Sequence, residues 1–112
     1  MIAAVDSRSS RWARTAQWIG RSGRSYHLAA ENLDSFTMEE DSLFLLARGS
    51  HVLWVGSSGE LVADPLSRSR FRLAMSCADR IFSLVALDDA AQRLATIWDL
   101  EGAAPQVERS AA

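Results

Sequence analysis

Apolar side chains along this 112-residue chain fall into blocks whose spacing changes from strand-like to helical and back. Leu43 to Ala47 and Val52 to Val55 are nearly continuous apolar runs around Arg48-Gly49-Ser50-His51, a length and composition suited to a glycine-containing hairpin loop. Continuous rather than alternating apolar residues predict burial on both faces, so this pair of strands belongs inside a sheet covered by helices. After a bend at Gly56-Ser57-Ser58-Gly59, Asp64 precedes Pro65: an N-cap residue, then the residue whose missing amide hydrogen costs nothing at the first helical position. Leu66, Phe71, Leu73, Ala74, Cys77 and Ala78 follow at helical spacing and predict a helix over 65–78. Arg80 to Leu87 is rich in strand-favouring side chains. Asp88 or Asp89 then caps a last helix through AAQRLATIWDLE, with Leu94, Ile97 and Trp98 on its inner face and Glu101 continuing it. Gly102 stands where a left-handed stop is expected, and Pro105 follows.

Signals before the hairpin are weaker. In SRSSRWARTAQWIGRSGR, Trp12, Ala16 and Ile19 fit a helical stripe while the Ser, Gly and Arg flanks suit an arm, so residues 1–24 read as a basic Arg/Trp arm or a short helix. Ser25 to Ala29 places Tyr26 and Leu28 on one side and His27 on the other, a short strand. ENLDSFTMEED reads as an acidic connection with one helical turn around Leu33 and Phe36. The expectation is a single α+β domain over 25–105. Its small, mainly antiparallel sheet has three strands, or four if 25–29 joins it, and is flanked by helices in the order hairpin, helix, strand, helix. Residues 106–112 read as a disordered tail.

Composition bounds this picture. With 48% apolar residues the chain has enough side chain for one core and no room for a second domain. A net charge of −2 and a pI near 5.6 argue against an overall polyanion binder. The charge is segregated, however. Arg8, Arg11, Arg14, Arg21 and Arg24 outweigh Asp6 early in the chain, residues 31–64 are acidic, and Arg68, Arg70, Arg72 and Arg80 form a second basic block. Every cation is arginine, the mark of a GC-rich, bacterial type of coding sequence. Cys77 alone allows no intramolecular disulfide and no cysteine-based metal cluster. No apolar run approaches the ~20 residues needed to span a bilayer, and MIAAVDSRSS lacks a signal peptide's apolar centre. The expected location is the cytoplasm, away from membranes.

Ser42-Leu43-Phe44 on the first strand of the hairpin and Trp54-Val55-Gly56 on the second, followed by Ser57 and Ser58, are two aromatic triplets facing each other across the turn. With the helix, strand and helix that follow as far as Pro105, they resemble the GIY-YIG nuclease domain, a small three-stranded sheet flanked by helices that cuts DNA with a divalent metal. The resemblance implies tyrosines that position or deprotonate the attacking water, an arginine in the first helix that stabilises phosphate, and a glutamate in the last helix that binds metal. Phe44 and Trp54 keep the aromatic bulk without the hydroxyls. Asp64 falls near the arginine's position, with Arg68 a turn later. Thr96 falls near the glutamate's position, and its hydroxyl is a poor substitute for a carboxylate on Mg²⁺. The resemblance thus implies a scaffold that keeps the hairpin and has no catalytic residues, metal or cofactor. A divergent metal-dependent endonuclease would need Arg68 or Arg70 with Asp99 or Glu101 as relocated groups.

Other constellations read as structural. Cys77 lies on the apolar side of its predicted helix, where a free cysteine acts as a small hydrophobe rather than pairing with His27 or His51. Ser57-Ser58-Gly59 lacks the lysine and glycine spacing of a phosphate loop, and Glu39-Glu40-Asp41 suits a solvated loop. Trp54 and Trp98 are expected in the core. Arg11, Trp12, Arg14, Trp18, Arg21 and Arg24, with Arg68 and Arg70, form the candidate contact set, since arginine meets phosphates while indole stacks on bases, and both are enriched at protein interfaces. The expected function is a non-catalytic interaction module making protein contacts or self-associating, with nucleic-acid binding through the N-terminal arginines as the alternative.

Overall fold

The computed structural model describes residues 15–85 and 89–106. Its elements are β1 (Thr15–Ile19), β2 (Ser25–Glu31), β3 (Ser42–Arg48), β4 (His51–Gly56), α1 (Ser58–Ala63), α2 (Pro65–Cys77), β5 (Arg80–Val85), α3 (Ala90–Glu101) and β6 (Ala104–Pro105). The strands form one antiparallel sheet in the order β4-β3-β5-β2-β1-β6, curled into a half-barrel.

The α+β class is as expected, but the sheet has six strands rather than three or four. The difference lies mostly in Thr15–Ile19, which is a strand and not a helix or an arm. Its register sets Trp18 opposite Tyr26, and Trp18 is fully buried with its ring edge-on to Phe82 at 5.5 Å. Tertiary burial of one indole thus overrides a helical stripe of only a few residues. At the other end Pro105 pairs with Trp18 in β6, an edge position where its missing N–H is harmless, and the Gln106 amide donates to the Gln17 carbonyl at 2.9 Å.

Both faces of the sheet are covered, as the unbroken run in β3 predicts: Leu43 through Ala47 are all buried, alternately on one side and the other. Leu43, Leu45 and Ala47 join Trp18, Tyr26, Leu28, Val55 and Phe82 under Ile97 and Leu100 of α3. Phe44 and Leu46 join Trp54, Ile81 and Ala74 of α2 in a second cluster, on which Phe71 and Met75 of α2 and Leu33, Phe36 and Met38 of the β2–β3 connection also pack. That connection has no helix; Asn32 holds it in a turn by accepting from the Asp34 amide at 2.8 Å. The hairpin turn tightens onto Gly49, whose φ of +59° suits glycine.

Both longer helices start where their caps predict: Asp64 accepts from the Leu66 amide at 3.1 Å and Asp89 from the Ala91 amide at 3.0 Å. Four features differ from expectation. The bend after Gly56 is the short helix α1, none of whose residues is buried. Cys77 is exposed, not on an apolar face. Gly102 has φ −107°, so it is no left-handed stop; it is needed because a Cβ there would lie 2.4 Å from the Arg21 side chain. Finally, α3 is rotated. Thr96, Ile97, Asp99 and Leu100 face inward while Leu94 and Trp98, expected in the core, are 62% and 57% exposed.

Candidate functional site

The rotation of α3 has a definite cause. Asp99, buried at the end of the helix, accepts from the Ser22 amide, the Ser22 hydroxyl and the Tyr26 hydroxyl, each at 2.7 Å. Burial pushes the carboxyl pKa up, but the Ser22 amide, the two hydroxyls and the Arg24 charge outweigh it and hold it below its ordinary value. Tyr26 is shifted the other way, by burial first and then by its hydrogen bond to the Asp99 carboxylate. Gly20 leaves the space: a Cβ there would sit 2.5 Å from the Asp99 carboxyl. Arg21 completes the clasp, its Nε donating to the Trp98 carbonyl at 2.9 Å and its guanidinium lying 4.8 Å from the Trp98 ring. With every neighbour donating to it, Asp99 is a structural acceptor, and its placement fixes Leu94 and Trp98 outward.

Those two side chains border a cleft of about 610 Å³ between β4 and the helices. Among the described residues, strand β4 is one end of the sheet, with β3 as its strand neighbour. A bulge interrupts their ladder: Leu46 pairs with Trp54 and Ala47 with Val52, leaving Leu53 as the extra residue. Leu53 is accordingly 38% exposed in a strand whose neighbours Trp54 and Val55 are buried. Leu53, Leu94 and Trp98 are the exposed large apolar side chains of the cleft, above the more buried Trp54, Val55 and Ile97, and Glu60, Asp64, Glu101 and Arg70 are its charged ones. Glu60 stands three residues after Ser57, the N-cap of α1, where the Ser57 backbone favours its ionised form. Its pKa is nevertheless raised, by burial and then by the Glu101 and Asp64 carboxylates.

The positions implied by the nuclease resemblance do not assemble into one site. The Phe44 ring lies tilted against Phe36 at 5.9 Å, and Trp54 meets Phe71 edge-on at 4.9 Å, both beneath α2. Thr96 lies on α3 across the sheet, its hydroxyl donating to the Gln92 carbonyl at 2.8 Å. Gly56 is crowded, since a Cβ would approach the Glu60 carboxylate and the Trp54 ring to within 2.6 Å. Asp64 serves as a cap, and Arg68 donates to the Leu61 and Val62 carbonyls at 2.8 and 3.1 Å, closing the end of α1. Glu101 and Arg70 line the cleft, but without Asp99 or Arg68 beside them. Among the described residues, no group of three His, Cys, Asp or Glu side chains is placed to hold a metal ion.

Of the basic and aromatic set, Arg11, Trp12 and Arg14 lie outside the described residues. Trp18 is core and offers no face for stacking, Arg21 is engaged with Trp98, and Arg24 is exposed beside Tyr26 and Asp99. Sequence reasoning missed Leu53, Glu60 and Leu94 as surface features. The signal for Leu94 and Trp98 was present in their i, i+4 spacing, but an apolar pair of this kind reads as core until Asp99 is known to face inward.

None of the described helices is long and apolar enough to cross a membrane. Comparison with known proteins finds no protein family, curated protein or solved structure that matches this chain.

Proposed function

We propose that the chain is a non-catalytic interaction module that binds a segment of a protein partner in the cleft beside β4. The carrying observation is the outward placement of Leu53, Leu94 and Trp98 around one cleft, where two independent devices, a strand bulge and a buried carboxylate clasp, turn apolar side chains away from the core. Large apolar side chains grouped in this way, with carboxylates at the rim, have the make-up of a protein contact surface. The bulge also blunts the open edge of β4, so side chains lining the cleft carry the contact rather than a long run of strand pairing.

The hairpin β3–β4, helix α2, strand β5 and helix α3 follow in the order on which the GIY-YIG resemblance rests. A scaffold of that kind with its hydroxyls and metal-binding carboxylate replaced supports a binding role over cleavage. Panning a phage-displayed peptide library tests the reading. Peptides should be retained by the protein and lost from a Leu94→Ser, Trp98→Ser variant whose circular dichroism and melting temperature match the parent. Enrichment indifferent to both substitutions would dismiss the cleft as the contact site.

A further inference from the structure

Resting on that reading, we propose that the occupant of the cleft is the Arg8–Arg14 segment of a second copy of the chain, so that two copies exchange their N-terminal segments. The cleft is lined by Glu60, Asp64 and Glu101 with Arg70, beside the exposed apolar group Leu53, Leu94 and Trp98, while the Arg93 charge acts on Glu60 and Arg21 lies against the Trp98 ring. Its complement is a short stretch carrying several cations around a bulky apolar side chain. Residues 8–14, RSSRWAR, hold Arg8, Arg11 and Arg14 around Trp12, a pairing of aromatic and arginine suited to an interface centre. An incoming guanidinium also relieves the repulsion that Glu101 and Asp64 impose on Glu60.

Geometry favours a second copy over the segment's own cleft. Strand β1 runs from Thr15 to the Gly20–Gly23 turn that meets Asp99 on α3, so the chain before Thr15 leaves from the opposite end of the strand. That end is about 14 Å farther along, from four strand steps, and Thr15 borders a different groove, with His27, Glu31 and Ser35. Trp12 stands three residues ahead of Thr15, a reach of about 10 Å at full extension. Direct β4-to-β4 pairing of two copies is disfavoured, because the bulge at Leu53 breaks the ladder and the acidic clefts would be brought together.

Sedimentation equilibrium on the full chain is the test. The wild type should show a concentration-dependent dimer whose dissociation constant rises with salt. Glu101→Arg and Arg11→Glu should each weaken it by at least about tenfold, and the two substitutions together should restore most of the loss, since they re-create the attraction with its charges exchanged. Glu101 is exposed, and circular dichroism verifies that each variant folds. A chain that stays monomeric while library peptides still bind its cleft overturns the exchange and leaves the interaction reading standing. A dimer indifferent to Arg11→Glu, or a double variant no tighter than the singles, also overturns it. A monomer with no cleft-dependent peptide binding removes both.

Discussion

The Tyr26 hydroxyl donates to the Asp99 carboxylate at 2.7 Å, joining the second strand to the last full helix across 73 residues of sequence. The Ser22 amide and hydroxyl add two further donors to the same carboxylate. Asp99→Ala should therefore destabilise the fold by about 2–4 kcal/mol in urea unfolding, because it leaves buried donors unmet. Tyr26→Phe, which removes one donor, should cost about 0.5–1.5 kcal/mol. An Asp99→Ala loss near zero would mean the clasp opens freely in solution.

The pH dependence of the clasp has a fixed sign. Asp99 has a lowered pKa in the folded state, so its contribution is present above the ordinary aspartate value of about 3.9 and fades as pH falls through the lower folded value. Tyr26 has a raised pKa, so its contribution is present below about 10 and is lost as pH climbs through the folded value. Urea midpoints measured against pH should show both flanks, and Asp99→Asn should flatten the acidic one.

Glu60 carries the opposite acid response. Its raised folded pKa means that ionisation is penalised by folding, so its contribution improves as pH falls through that value and is complete below the ordinary glutamate value near 4.3. Glu60→Gln should consequently raise the melting temperature at pH 7 and lower the pH sensitivity between neutrality and pH 4. A fall in stability at pH 7 would show that the Ser57 backbone and the Arg93 charge outweigh the burial and the repulsion.

Two tryptophans separate packing from contact. Trp54 is 7% exposed and meets Phe71 edge-on, so Trp54→Ala should cost ~3–5 kcal/mol of stability. Trp98 is 57% exposed and its described ring partner is Arg21, so Trp98→Ala should cost less than about 1 kcal/mol while abolishing peptide capture in the cleft. Equal losses in denaturant would place Trp98 in the core after all.

Supercoiled plasmid incubated with the protein and Mg²⁺ or Mn²⁺ should remain intact. Nicking that disappears in Glu101→Ala would overturn the non-catalytic reading and return the cleft carboxylates to metal chemistry.

Local signals made the centre of the fold readable in the sequence. The β3–β4 hairpin is announced by two apolar runs about a glycine turn, and α2 and α3 by Asp64-Pro65 and Asp89 ahead of helical periodicity. Thr15–Ile19 was not readable as a strand, since five residues with one inward indole carry too little alternation to compete with a helical stripe. Nor was the roll of α3 about its axis. Leu94 and Trp98 are apolar and Asp99 is charged, so periodicity alone puts the wrong side inward; the deciding partners, Ser22 and Tyr26, stand more than seventy residues away. The cleft suffered from the same gap. Trp54, Asp64, Arg70 and Glu101 were singled out for nuclease chemistry or basic contacts, but their grouping with Leu53 and Leu94 depends on the bulge and on that roll.

The Asp99 clasp also bears on the order in which the molecule is assembled. During synthesis the β1–β2 hairpin emerges well before α3, so Ser22 and Tyr26 have no Asp99 carboxylate to meet until α3 has left the ribosome, and Trp18 gains its β6 neighbour, Pro105, later still. The sheet centre waits as well, since β5 inserts between β2 and β3, which are adjacent in sequence. Loop closure on that scale is entropically slow. The first hairpin is thus left without its Asp99 acceptor, and the Trp18 indole without its Phe82 and Pro105 neighbours, until the segments that carry them have been made.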